Sequence, residues 1–147
     1  MANFDFSRLR DLERLVGDRM DKVVRGTLLD LSRRIVLRTP VGNPSLWQGP
    51  PPPGYTGGQA RGNWQASISS PASGTTTAID KTGTPTITSI AGETQNAPGN
   101  VWYLTNNLPY VSTALEYGSS TQAPTGMVRI SLRELDQSID DQISRLT

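Results

Sequence analysis

Apolar residues recur along the start of the chain at steps of three, four or five: Leu9, Leu12, Val16, Met20, Val23, Leu28, Leu31 and Ile35. That spacing predicts one long amphipathic helix over residues 7 to 38, with its apolar residues on one stripe. Ser7 is the expected N-cap, and Asp11 and Glu13 suit the positive end of the helix dipole. Arg33, Arg34 and Arg38 suit the negative end. Thr39-Pro40 ends the helix, because a residue before proline avoids the helical region. Gly26 costs about 1 kcal/mol against alanine inside a helix, so it marks a bend or a close helix crossing. A second helical pattern closes the chain, through Val128, Leu132, Leu135, Ile139, Ile143 and Leu146. Asp136, Asp140 and Asp141 lie off that stripe, as a solvated face.

Between these helices the pattern changes. Residues 61 to 106 hold β-branched and alternating stretches, "NWQASISS", "TTTAID", "TPTITSIAG" and "NVWYLTN", punctuated by Gly74, Gly83 and "NAPGN". They predict three or four antiparallel strands. Pro109 opens a short helix and Gly118 closes it. The expectation is a single α+β domain over residues 1–147. It has a long N-terminal helix, a small antiparallel sheet, a short helix and a C-terminal amphipathic helix, the two amphipathic helices packed on one sheet face.

A Pro/Gly-rich loop at 42–60 interrupts this order. Pro50, Pro51, Pro52 and Pro53 are consecutive and favour a stiff polyproline segment. The loop reads either as an inert surface insertion or as an inter-subunit arm anchored by Trp47 and Tyr55.

Composition narrows the chemistry. There is no cysteine and no histidine, which excludes disulfides, thiol nucleophiles, cysteine or histidine metal sites and histidine acid–base catalysis. No metal and no cofactor is expected. No apolar run approaches a membrane span, and "MANFDFSRLRDLE" has no signal-peptide core, so a protein made in a cytoplasm and not bound to membrane is expected. Residues 39 to 128 carry only Arg61, Lys81, Asp80, Glu93 and Glu116 as charges. So few charges suit a surface that is loop or is covered by neighbours.

Among the remaining groups Glu116 stands out, as the one acid in an uncharged neighbourhood between Tyr110 and Tyr117. Buried, it could be a general base with a raised pKa. Its other reading is an acceptor for backbone amides that fixes the loop. The glycines of "GYTGGQARGN" lack the spacing and the Lys-Ser/Thr ending of a phosphate loop, and the C-terminal aspartates lack calcium-loop spacing. The basic residues of the first helix are interleaved with acids, as on a salt-bridged helix face, so sequence-specific nucleic-acid binding is not expected. Loose phosphate contact remains open.

The ordered set Thr39-Pro40-Val41, Thr56-Gly57, Arg61-Gly62-Asn63-Trp64, Asn107-Leu108-Pro109-Tyr110, Glu116-Tyr117-Gly118 and Ala123-Pro124 resembles the minor tail proteins that complete tails at the neck of long-tailed phages. This is the group that includes the tail-completion protein of phage lambda. Fourteen residues, Gly42 to Tyr55, separate Thr-Pro-Val from Thr-Gly here, where that family usually has one or two. The resemblance implies a non-enzymatic virion protein, assembled in the host cytoplasm into a ring of its own copies at the head–tail junction. Its implied neighbours are a tail terminator or a head-completion (stopper) protein, with non-specific contact to DNA in the channel through Arg8, Arg19, Arg33 and Arg34. On this reading Pro109 starts a short helix, Tyr110, Leu115 and Tyr117 plug it onto the sheet, and Glu116 and Gly118 shape the turn into the last helix. The alternatives are a tail terminator ring subunit, a small hydrolase using Glu116, and a nucleic-acid binder using the first helix.

Overall fold

The structure is a computed structural model that describes residues 7–118 and 120–146, without the side chains of Ser7 and Arg8. Ser7 as a cap and Arg8 as a channel-facing cation therefore lie outside the described side chains. The chain is mixed α and β, as expected. Helix α1 spans Ser7–Arg38 and stops where Pro40 requires. At 1.5 Å per residue its 32 residues extend about 48 Å. Then come a single 3-10 turn at Pro44–Leu46, the short α2 at Gln59–Gly62 and strand β1 at Gln65–Ile68. Helix α3 (Thr84–Thr94) and strand β2 (Trp102–Thr105) follow. Tyr110 leads into a π-type turn at Val111–Glu116, and α4 (Val128–Arg133) and α5 (Leu135–Ser144) close the fold.

The sheet has two strands among the described residues. β1 and β2 pair antiparallel, Gln65 opposite Thr105 and Ile68 opposite Trp102. The two other expected strands are different structures. "TPTITSIAG" is α3. Pro85 sits in its first turn, and Gly83 precedes it at φ 89°, a conformation that glycine adopts without strain. Asp80 then holds the helix start. Its carboxylate accepts from the backbone N–H of Thr82 (3.0 Å), Gly83 (2.6 Å) and Thr86 (3.1 Å) and from the Thr86 hydroxyl (2.6 Å). Thr86, Ile90 and Thr94 form the buried face, at a step of four. β-branched residues lose at most about 0.7 kcal/mol each in a helix, which capping and burial outweigh. "TTTAID" is irregular and pairs with no strand. The side-chain amide of Asn63 takes that role, accepting from Thr76 N–H at 2.7 Å and donating to Thr76 C=O at 3.1 Å.

The core forms where α1, α3, the sheet and the segment around Val111 converge: Ile35, Val36, Trp64, Ile90, Leu108, Val111, Leu115 and Met127. The C-terminal helix is broken at Glu134 and packs along α1 rather than on the sheet. Ser138 Oγ donates to Asp30 at 2.5 Å. Arg34 and Arg38 both reach Glu134, at 2.6 and 2.9 Å. Gly26 is a close crossing: a Cβ there would overlap the Gln142 side chain.

Both partners of α1 stop near this crossing. The α3 end is marked by Gln95, whose carbonyl accepts from Arg25 Nε at 3.1 Å, and α5 is at Gln142. Residues 9 to 20 of α1 extend past them and are exposed throughout. Only the second half of the predicted apolar stripe, with Val23, Leu31 and Ile35, enters the core.

Candidate functional site

The residues singled out in sequence gather at three places, and two of them are joints. The first ties the end of α1 to the loop before β1. Trp64 Nε1 donates to Thr39 Oγ1 at 2.8 Å, and that hydroxyl donates to Ile35 C=O at 2.8 Å. The Arg61 guanidinium donates to the carbonyls of Leu37, Thr39 and Lys81, at 3.1, 2.8 and 2.7 Å. A cation on the free carbonyls at a helix C-terminus is favourable both as hydrogen bonding and against the dipole. Gly57 and Gly58 sit at φ 71° and 89°, and a Cβ on either would come within 3 Å of Gly42 or Asp80 backbone. The Thr-Pro, Thr-Gly and Arg-Gly-Asn-Trp pieces thus interlock.

The second joint is centred on Glu116. It is buried, and its two carboxylate oxygens accept from the backbone N–H of Met127 (2.8 Å), Val128 (2.8 Å) and Arg129 (2.9 Å). Arg129 Nε is 3.3 Å away, and Arg129 also donates to the Glu116 carbonyl. Burial pulls the Glu116 pKa upward, but these hydrogen bonds and the Arg129 charge outweigh it and hold the pKa below its ordinary value. Gly126 must be glycine: φ is 76°, and a Cβ would lie 2.6 Å from the Glu116 carbonyl oxygen. Gly118, at φ 86°, lies against Pro124. Of the two readings of Glu116 in sequence, the geometry is that of the backbone acceptor.

Tyr117 does not plug onto the sheet. It is 71% exposed, with the Arg129 guanidinium 5.4 Å from its ring centroid. Tyr110 does not either; it belongs to the third place, an open cleft of about 460 Å³. Trp47, Tyr55, Tyr110 and Pro40 line it, with Leu115 and Gln122. The Trp47 and Tyr55 rings are in contact, centroids 4.7 Å apart. Trp47 is nonetheless 40% exposed, and Tyr55 is half-buried. Pro50 to Pro53 are all exposed, within a stretch, residues 43 to 54, that is exposed throughout. Burial raises the pKa of both Tyr55 and Tyr110, so both phenols stay protonated donors at neutral pH. Glu116 lines neither this cleft nor the shallower one beside α3.

The possible DNA-facing cations divide. Arg19 and Arg33 are exposed. Arg34 is held by Asp30 at 2.9 Å and by Glu134, so it is not a free phosphate contact. Among the described residues no three metal-ligating side chains come together, and no helix is long and apolar enough to cross a membrane. Sequence reasoning missed Asp80, which organises the start of α3. The signal was "DKTGTP", an acid shortly before a glycine and a first-turn proline. Comparison with family models, with curated proteins and with solved structures found no match.

Proposed function

We propose that this chain is a non-enzymatic subunit of a phage neck, which completes the tail and joins head to tail as one of a ring of identical copies around the DNA channel. The observation that carries this reading is the free half of α1. Leu9, Leu12, Leu15, Val16 and Met20 are each about half exposed there (48–57%), on the continuation of a stripe that is core further along the same helix. Large apolar side chains exposed together along one helix suit a protein–protein contact. Its flanks carry Arg10, Arg14, Arg19 and Lys22 against Asp11, Glu13, Asp18 and Asp21. A balanced set of charges suits a protein partner better than a polyanion or a membrane.

The neck assignment itself rests on the ordered motif resemblance. It is supported by the way those motif residues interlock as joints rather than converge on a reaction centre. A carboxylate saturated by three backbone amides is a poor general base, which favours the structural role of Glu116 over a hydrolase. Lateral contacts would be to other copies, axial ones to a tail terminator or stopper protein. Of the cations expected to face the channel, Arg19 and Arg33 are the exposed ones among the described side chains.

The test is in-vitro joining. Heads and tails made without this protein are mixed with the purified chain, and joined particles are counted by electron microscopy. Light scattering follows its mass alone and with the tails. Restored joining is the expected result. A folded chain that neither binds such tails nor restores joining overturns the assignment.

A further inference from the structure

The loop at 42–60 divides into a lock and a key. The contact between Trp47 and Tyr55 closes the loop at its base. Beyond that base Pro50 to Pro53 form an exposed tip that lines no part of the cleft. Its far end is pinned by a turn: Tyr55 N–H donates to Pro52 C=O at 3.1 Å, with Gly54 at φ 75°. Each pyrrolidine ring fixes its own φ, so the tip is held close to polyproline II before it meets any partner.

The cleft has the chemistry that receives such a segment. Polyproline helices dock in grooves lined by aromatic rings. Prolines bring no N–H, so their carbonyls need donors from the receptor. Here an indole, two phenols and the amides of Gln48 and Gln122 border one cleft. Charge matches as well. Neither the cleft lining nor residues 39–60 contain a charged side chain. A charged occupant would lose its hydration with no compensation, whereas four prolines carry no charge to desolvate and their carbonyls meet the donors that border the cleft. The tip cannot enter its own cleft, because the stem that carries it forms the cleft wall. Entry would require breaking the Trp47–Tyr55 contact. The occupant must come from another molecule, and a second copy of this chain presents the matching segment.

We infer that the Pro50–Pro53 tip of one copy docks in the Trp47–Tyr55–Tyr110 cleft of the next. A contact of this head-to-tail kind uses two different surfaces, and its repetition closes into a ring when the rotation allows. The inference deepens the ring reading above and names the lateral contact.

Two variants separate key from lock: one with Pro50, Pro51, Pro52 and Pro53 all replaced by serine, the other Tyr110→Ala. With folding checked by circular dichroism, each alone should self-associate about tenfold or more weakly than wild type in sedimentation. Mixed, they should form one-to-one pairs and nothing larger, since one copy keeps the key and the other the lock. In parallel, the peptide of residues 48–54 is titrated into the wild-type chain and Trp47 emission is followed, with Trp47→Phe as the background from Trp64 and Trp102. A saturable change that Tyr110→Ala abolishes is expected. No saturable change at millimolar peptide, or folded variants that do not pair, overturns the inference. Peptide binding by a wild-type chain that stays monomeric also overturns it, and assigns the cleft to a proline-rich segment of a different protein. Particle joining is read separately, so tails completed by the serine variant would leave the neck reading standing while the lock and key fell.

Discussion

Trp64 and Thr39 are joined by a hydrogen bond of 2.8 Å between two buried side chains, and this bond fixes the end of α1 against the start of β1. Thr39→Val keeps the shape and removes the acceptor, leaving the indole N–H buried and unpaired. It should destabilise the domain by about 1–3 kcal/mol. Thr39→Ser should recover most of that. Urea unfolding followed by tryptophan emission measures both, and equal stability of Thr39→Val and wild type would refute the role of the bond.

Glu116→Gln keeps the volume and removes the charge that three amides and Arg129 address. A loss of about 2–4 kcal/mol is expected, from weaker charge-assisted bonds and an N–H group turned toward N–H donors. Gly126→Ala should be destabilising too, because it puts a methyl against the Glu116 carbonyl at positive φ. A Glu116→Gln chain as stable as wild type would reopen the catalytic reading.

Acid should unfold the domain through a defined set of groups. In Asp30, Asp80 and Glu116 burial raises the pKa, and hydrogen bonds with, in Asp30 and Glu116, nearby cations more than reverse this. In Glu134 the bonds from Arg34 and Arg38 lead the lowering. A carboxylate with a depressed folded pKa contributes stability above its unfolded value, about 3.9–4.3, and loses it as pH falls toward the folded value. Stability should be level above about pH 5 and fall steadily below about pH 4. Urea midpoints at pH 7, 5 and 3.5 check this, and the fall should be shallower in Glu116→Gln.

The two halves of the α1 stripe should respond in opposite ways. Ile35→Ala lies in the core and should cost about 2–5 kcal/mol. Leu12→Glu with Val16→Glu lies on the free half and should leave monomer stability within about 0.5 kcal/mol per site. The same double change should abolish assembly on tails. Retained assembly would show that this face is not an interface.

The contrast along α1 shows how far the sequence carries. Spacing placed the helix and its apolar face, and Thr39-Pro40 placed its stop. Gly26 was legible as a crossing or a bend, and the alternation in "WQAS" and "WYLT" was legible as strand. The pieces Thr39, Arg61 and Trp64 could be singled out, yet nothing in their spacing said that they meet. "TPTITSIAG" is β-branched in composition yet helical, because Pro85 and the acid before it start a helix, and local caps outweigh propensities of a few tenths of a kcal/mol per residue.

Sequence by itself determined what is local: where α1 stops, which positions are apolar, and which catalysts are missing for want of cysteine and histidine. Tertiary structure decided what depends on where neighbours end. The same apolar stripe is core beside α5 and bare beyond it, because α5 and α3 are shorter than α1. Glu116 is a backbone acceptor because the chain returns at Met127 to present three N–H groups to it. Burial and pKa are set by what stands across from a side chain, and partners distant in sequence are brought there only by the fold.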